Sequence, residues 1–139
     1  MFLEHINLTV ADLDRSIDFY CNLLDLQVRW QRPASDPNGA AAHVGDDRCY
    51  LAMFQATESG EPLEHDYEHV GLTHFGFVVD NLDLMRDRLE ARGITPHLEG
   101  DYDPGRRLYF HDPDGIEVEL VEYAAENKPE SVSAREAVL

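Results

Sequence analysis

Two histidines stand at matching points of an internal repeat. Residues 5–14 read HINLTVADLD and residues 74–83 read HFGFVVDNLD. In each copy His opens the segment, an apolar residue (Leu8, Phe77) holds the fourth place, Val the sixth, and Leu-Asp closes it. A repeat of this kind brings His5 and His74 to equivalent points of two folding units. An ion held by two imidazoles needs a further ligand, and the last strand-like run, IEVELVEY, offers Glu117, Glu119 and Glu122. Period-two alternation puts Glu117 and Glu119 on one face and Glu122 on the other. Glu119, between Val118 and Leu120, is the most central. A carboxylate there is costly unless it is solvated, paired or bound to metal. Two histidines and one carboxylate with open positions suit Fe(II), and also Mn(II), Zn(II) or Ni(II).

The elements that must carry these residues follow from pattern and punctuation. Each repeat begins as an apolar, β-branched strand and then meets Asp or Asn, which accept hydrogen bonds from the first N–H groups of a helix. Helical spacing follows in both copies: Ile17, Tyr20, Leu23 and Leu24 after Asp12 or Asp14, and Leu82, Met85 and Leu89 after Asn81. Gly93 stands where a left-handed C-terminal cap is expected. Strands are expected near 26–31, 40–45 and 48–55 in the first half and near 95–99, 106–111 and 116–123 in the second. The turn Asp112-Pro113-Asp114-Gly115 separates the last two. The reading is βαβββ, a polar linker near 56–69, then βαβββ again: an α+β chain.

The chain has 139 residues, enough for one domain, with 28 acidic against 11 basic side chains and a net charge of −17. That charge argues against nucleic acid and anionic membranes as partners. Ten of the basic residues are arginines and one, Lys128, is lysine. This composition fits either a high-salt host or an Arg-favouring genome with an ordinary acidic surface. The N-terminus MFLEHINLTV has neither a basic region nor a long apolar run, so a cytoplasmic location is expected. Cys21 and Cys49 are expected to be reduced, buried thiols. No dinucleotide fingerprint, phosphate loop, nucleophile elbow or CxxC pair is present.

The span from about 2 to 123 resembles the vicinal oxygen chelate superfamily, which groups glyoxalases, extradiol dioxygenases, fosfomycin-resistance transferases and bleomycin-binding proteins. The segments that carry the resemblance are HINLTVADLDRSIDFYCNLL, LTHFGFVVDNLD and YFHDPDGIEVELVE. It implies a single domain over 1–123 built from two βαβββ modules (about 1–56 and 70–123), with a curled mixed sheet around a metal site; the acidic, Ala/Glu/Ser-rich composition of 124–139 reads as a tail, either disordered or a short helix. It implies one divalent ion held by His5, His74 and Glu119. Ala52 falls where lactoylglutathione lyases supply a Glu or Gln ligand, and Gln55 has the opposite parity, so a three-ligand site is expected, with Fe2+ or Mn2+ favoured over Zn2+ or Ni2+.

The run from Leu108-Tyr109 through Asp112-Pro113 and Gly115 to Glu119 is similar to the end of the extradiol dioxygenase signature, which implies that Tyr109 contacts substrate as a catalytic residue. The His that precedes the Tyr in that signature has no counterpart, since His97 lies too early. Strand parity adds Asn7, Tyr50 and Phe54 to the substrate-binding set, and Arg107 is the cation offered to it. His43, His65, His69 and His97 are expected on surfaces or loops, and His111 in a turn. The resemblance thus implies a metal-dependent enzyme acting on a small molecule by bidentate oxygen chelation, tilted towards dioxygenase chemistry. The alternatives are a glyoxalase-like lyase or isomerase and a non-catalytic antibiotic-sequestering protein. A homodimer is expected, with neither nucleic acid nor membrane as partner.

Overall fold

Alternation governs the strands. In the first, His5–Val10, the residues Leu8 and Val10 are buried while His5, Asn7 and Thr9 face outward, because successive side chains of an extended chain point to opposite sides of a sheet. The computed structural model describes residues 1–58, 61 and 66–129. The chain forms two units, Met1–Leu63 and Glu64–Leu139. The first holds β1 (His5–Val10), α1 (Leu13–Leu24), β2 (Gln27–Arg32), β3 (Ala41–Gly45) and β4 (Tyr50–Gln55). The second holds β5 (His74–Val78), α2 (Leu82–Glu90), β6 (Leu98–Tyr102), β7 (Gly105–His111) and β8 (Glu117–Tyr123).

Each unit has its own open, four-stranded mixed sheet, ordered β1-β4-β3-β2 in one and β5-β8-β7-β6 in the other. The first strand of each lies parallel to the last, and the remaining pairs are antiparallel. This is the expected α+β architecture of two βαβββ modules, with one open mixed sheet in each unit. Each sheet buries one face under its helix. In the first unit Leu13, Phe19, Tyr20 and Leu23 of α1 are buried with Val44, Leu51 and Met53. In the second, Leu82, Met85 and Leu89 of α2 are buried with Phe75, Leu108, Phe110, Val118 and Leu120.

Both helices start on the anticipated acceptors. Asp12 accepts a hydrogen bond from the Arg15 N–H at 3.0 Å, and Asn81 from the Leu84 N–H at 2.9 Å. A second acceptor comes from the final strand of each unit: Gln55 Oε1 takes the Leu13 N–H at 3.1 Å, and Glu122 Oε2 the Leu82 N–H at 2.6 Å. Two of the four N–H groups that a helix start leaves unsatisfied are thereby held in each unit. Gly93 follows α2 with φ 72, and the Ile94 N–H reaches back to the Leu89 carbonyl at 3.0 Å, as a left-handed helix exit requires.

Two expectations need correction. β6 runs over Leu98–Tyr102 rather than 95–99, because Pro96 has no N–H to donate to a ladder. The two cysteines are free but half-buried rather than buried. Of the tail, residues 125–127 form one 3-10 turn, while positions from 130 onward, like His65, lie outside the described residues. No helix among the described residues is long and apolar enough to cross a membrane.

On the solvent side of α2, Asp83 is hydrogen-bonded by Arg106 at 2.6 Å and Arg86 at 2.7 Å, and Arg86 also binds Glu99 at 2.6 Å. The hydrogen bonds from Arg106 and Arg86 hold the Asp83 carboxyl down at about 2. A carboxyl depressed by folding stabilises the native state above its unfolded value and loses that contribution as pH falls through its folded value. Denaturation midpoints should therefore decline between pH 3.8 and about 2, and less steeply in Asp83→Asn. Gln55→Ala and Glu122→Ala should each cost about 1 kcal/mol, the usual worth of a helix-start acceptor, measured by urea unfolding.

Candidate functional site

The parallel pairing of β5 with β8 sets His74 opposite Glu117 and Gly76 opposite Glu119. His74 Nε2 lies 3.2 Å from Glu119 Oε2, and its Nδ1 lies 3.5 Å from Glu117 Oε1. Gly76 leaves the face beside Glu119 uncovered; a Cβ there would stand 3.5 Å from that of Glu119. Across the other edge of β8, Tyr109 pairs with Glu119, and its ring meets His74 edge-on, with centroids 5.4 Å apart. Burial, reinforced by the Glu119 carboxylate, pushes the Tyr109 phenol up to about 12.

Arg107 completes this group. Its Nη1 is 3.5 Å from Glu119 Oε1, and its guanidinium lies 4.3 Å above the Tyr102 ring. Glu119 Oε1 and Arg107 Nε are both buried with no hydrogen-bond partner among the described residues. Buried charged groups are ordinarily satisfied; here the two side chains meet only in the long ion pair between Arg107 Nη1 and Glu119 Oε1.

Glu117 is more engaged than Glu119. Its Oε1 accepts the hydroxyl of Tyr67, and its Oε2 lies 2.8 Å from His97 Nε2. Burial raises its carboxyl, but the hydrogen bonds from Tyr67 and His97 outweigh that and leave it below the ordinary range. The Tyr67 hydroxyl also sits 3.0 Å from His74 Nδ1. An Asp66 turn presents it, with Oδ1 accepting the N–H groups of Glu68 and His69 at 3.0 and 2.9 Å. His69 pairs with Asp66 at 2.8 Å on the surface, as expected for a loop histidine.

In the first unit the equivalent sheet face is aromatic. His5 stacks on Tyr50 with centroids 5.0 Å apart, and its Nδ1 is 2.9 Å from Glu4 Oε2. Tyr50 also stacks with His43 at 4.5 Å and carries the Arg29 guanidinium at 4.6 Å. Trp30 lies 4.9 Å from His43. Asn7 is exposed opposite Ala52, and Phe54 is 38% exposed opposite Thr9. Gln55, occupied with the start of α1, faces away from this group.

His43, expected on a surface or loop, instead stands in mid β3 beside Ala52, where the alternation of AAHVG could have placed it. His97 and His111 stack on each other at 4.3 Å. No pattern in the linker marked Tyr67 beyond the turn-forming Asp66 before it.

A family profile, the glyoxalase/bleomycin resistance protein/dioxygenase superfamily, matches residues 2–120. The chain belongs to that superfamily. It is 34% identical over 122 residues to the glutathione transferase FosA of Serratia marcescens, covering 85% of this chain and 78% of that one. It is 29% identical over 121 residues to the catechol-2,3-dioxygenase of Bacillus subtilis (strain 168), covering 85% of this chain and 40% of that one. The crystal structure of a glyoxylase/bleomycin resistance protein/dioxygenase domain from Frankia sp. EAN1pec superimposes with a TM-score of 0.75 at 25% identity, covering 89% of this chain and 98% of that one.

Partial burial, then the charges of Arg29 and His5, lower the pKa of His43 from its usual 6.5. NMR titration should find it below that value and rising in Arg29→Ala. A histidine depressed by folding stabilises the native state above pH 6.5, and that contribution should be lost as pH falls through the folded value.

Proposed function

We infer that the protein is a metal-dependent enzyme in which His74 and Glu119 hold one divalent ion. Its substrate is a small molecule with two neighbouring oxygens, at least one of them anionic. The observation that carries this reading is the pair of buried, unsatisfied atoms, Glu119 Oε1 and Arg107 Nε. One fits a cation and the other an anionic oxygen. Imidazole and carboxylate donors fit a borderline divalent ion, Fe2+ or Mn2+ first and Zn2+ or Ni2+ next. Such an ion, when bound, supplies Lewis acidity to substrate oxygens.

The chain's own residues then have separable tasks. Arg107 holds the anionic oxygen, and its stacking on Tyr102 fixes the plane in which it donates. Tyr109 stays protonated throughout the physiological range and donates a hydrogen bond to substrate. Gly76 leaves space beside Glu119. Taken by itself, the first unit's aromatic face, with Tyr50 and the exposed Phe54, suits a flat ring.

The reaction we favour is dioxygenase-like ring opening of a catechol-type substrate, in keeping with the Tyr109–Glu119 segment and with the Bacillus relative. The second reading is transfer of a nucleophile to a phosphonate-bearing substrate. It is favoured by the unsatisfied Arg107 and by the likeness to the Serratia transferase. Glyoxalase-like isomerisation and antibiotic sequestration stand behind these. A homodimer is proposed, because β2 is an exposed edge strand carrying Val28 and Trp30, and light scattering tests it.

By elemental analysis of protein purified without added metal, His74→Ala and Glu119→Ala should each contain one divalent ion fewer per chain than the unaltered protein. Full metal content in His74→Ala would refute the assignment. Oxygen uptake with catechols selects the first reading, and consumption of glutathione with fosfomycin selects the second. Arg107→Ala should raise KM about 10- to 100-fold, the usual worth of a charged hydrogen bond.

A further inference from the structure

We propose that the second unit carries another metal site, distinct from the His74–Glu119 pair, in which His97, His111 and Glu117 bind a zinc-class divalent ion. One ligand atom from each of the three lies within 4.8 Å of the others. The backbone sets this convergence. His111 pairs directly with Glu117 across the β7–β8 ladder. The His97 N–H bonds to the Tyr109 carbonyl at 3.0 Å, anchoring the entry to β6 two residues from His111. Three neighbouring chain segments thus deliver their side chains to one spot on one sheet face.

The contacts already present leave donors available to an ion. The rings of His97 and His111 stack nearly parallel, with centroids 4.3 Å apart and 15° between planes. Of these two rings, only His97 reaches the Glu117 carboxylate, at 2.8 Å. The His111 imidazole makes no side-chain hydrogen bond to any described residue. Zinc binds imidazole nitrogen and carboxylate oxygen at about 2 Å, so its ligand atoms lie up to roughly twice that apart. Binding therefore requires His97 and His111 to turn out of their stack, so that both ring nitrogens point to one spot beside Glu117.

Two imidazoles and one carboxylate are a donor set for Zn2+, Ni2+, Co2+ or Fe2+ rather than for Ca2+ or Mg2+. Glu117 would spend Oε2 on the ion while Oε1 keeps its hydrogen bond from Tyr67. The partly exposed location leaves further positions to water. Because β6 is the edge strand of its sheet, an ion there ties that edge to β7 and β8. This site stands whether or not His74 and Glu119 bind metal.

Equilibrium dialysis of the full chain against micromolar free Zn2+, followed by elemental analysis, tests it. His97→Ala and His111→Ala are each expected to bind one ion fewer per chain than the unaltered protein, whereas His74→Ala keeps that ion. Unchanged stoichiometry in both His97→Ala and His111→Ala overturns the proposal, as does loss of all zinc in His74→Ala. Loss of only one ion in His74→Ala speaks to the His74–Glu119 pair and leaves this site standing, so the two assignments fail separately. Long-range proton–nitrogen NMR of the unaltered protein gives a second readout that needs no variant. The ring nitrogens of His97 and His111 must move as zinc is added, and unmoved signals overturn the site.

Discussion

Strand β8 must bury Val118 and Leu120, both fully inaccessible, against α2 while holding Glu117 and Glu119 on the opposite face. A slip of one residue would drive two carboxylates into the apolar layer and turn the two aliphatics outward. Burying an unpaired charge costs several kcal/mol even after relaxation, so the register has little freedom. β8 is paired on both sides, parallel to β5 and antiparallel to β7. The one choice of register therefore also fixes which residues flank its carboxylates: His74 and Gly76 on one side, Tyr109 and His111 on the other.

The same scaffold is used twice with different chemistry. With His5 matched to His74, the two parallel ladders make Tyr50 the counterpart of Glu117 and Ala52 that of Glu119. The neighbouring antiparallel ladders then match His43 with Tyr109. Where the second unit gathers carboxylates, a guanidinium and a phenol, the first gathers stacked rings. One task is common to both: the last strand of each unit carries near its end a side chain, Gln55 or Glu122, that receives the first N–H of the helix. That bond couples helix placement to strand register, so each helix is held over the sheet by polar as well as apolar contacts.

The large acidic excess is partly structural. Asp36, Asp46, Asp66 and Asp112 each accept backbone N–H groups two to four residues ahead, closing turns that the strands need. Asp and Asn suit this because their short side chains mimic a backbone acceptor. Others are matched by the few arginines, as around Asp83. The remaining surplus gives the molecule a field that draws cations and repels polyanions.

Residue pattern alone determined the strands, helices and helix starts, because alternation, helical spacing and the acceptors Asp12 and Asn81 are local signals read within a few residues. It also put Glu117 and Glu119 on one face and Glu122 on the other, since strand parity needs no tertiary information. The start of β6 was misplaced because Pro96 sits inside an otherwise strand-like run, and whether the ladder begins before or after it depends on β7. What only the tertiary structure decided lies in contacts between distant segments. Tyr67 reaches Glu117 across 50 residues of chain, His97 meets Glu117 and His111 through the β6–β7–β8 ladders, and Gln55 is claimed by α1. None of these has a local signature, because the partner of a polar side chain is set by which strands become neighbours and in what register.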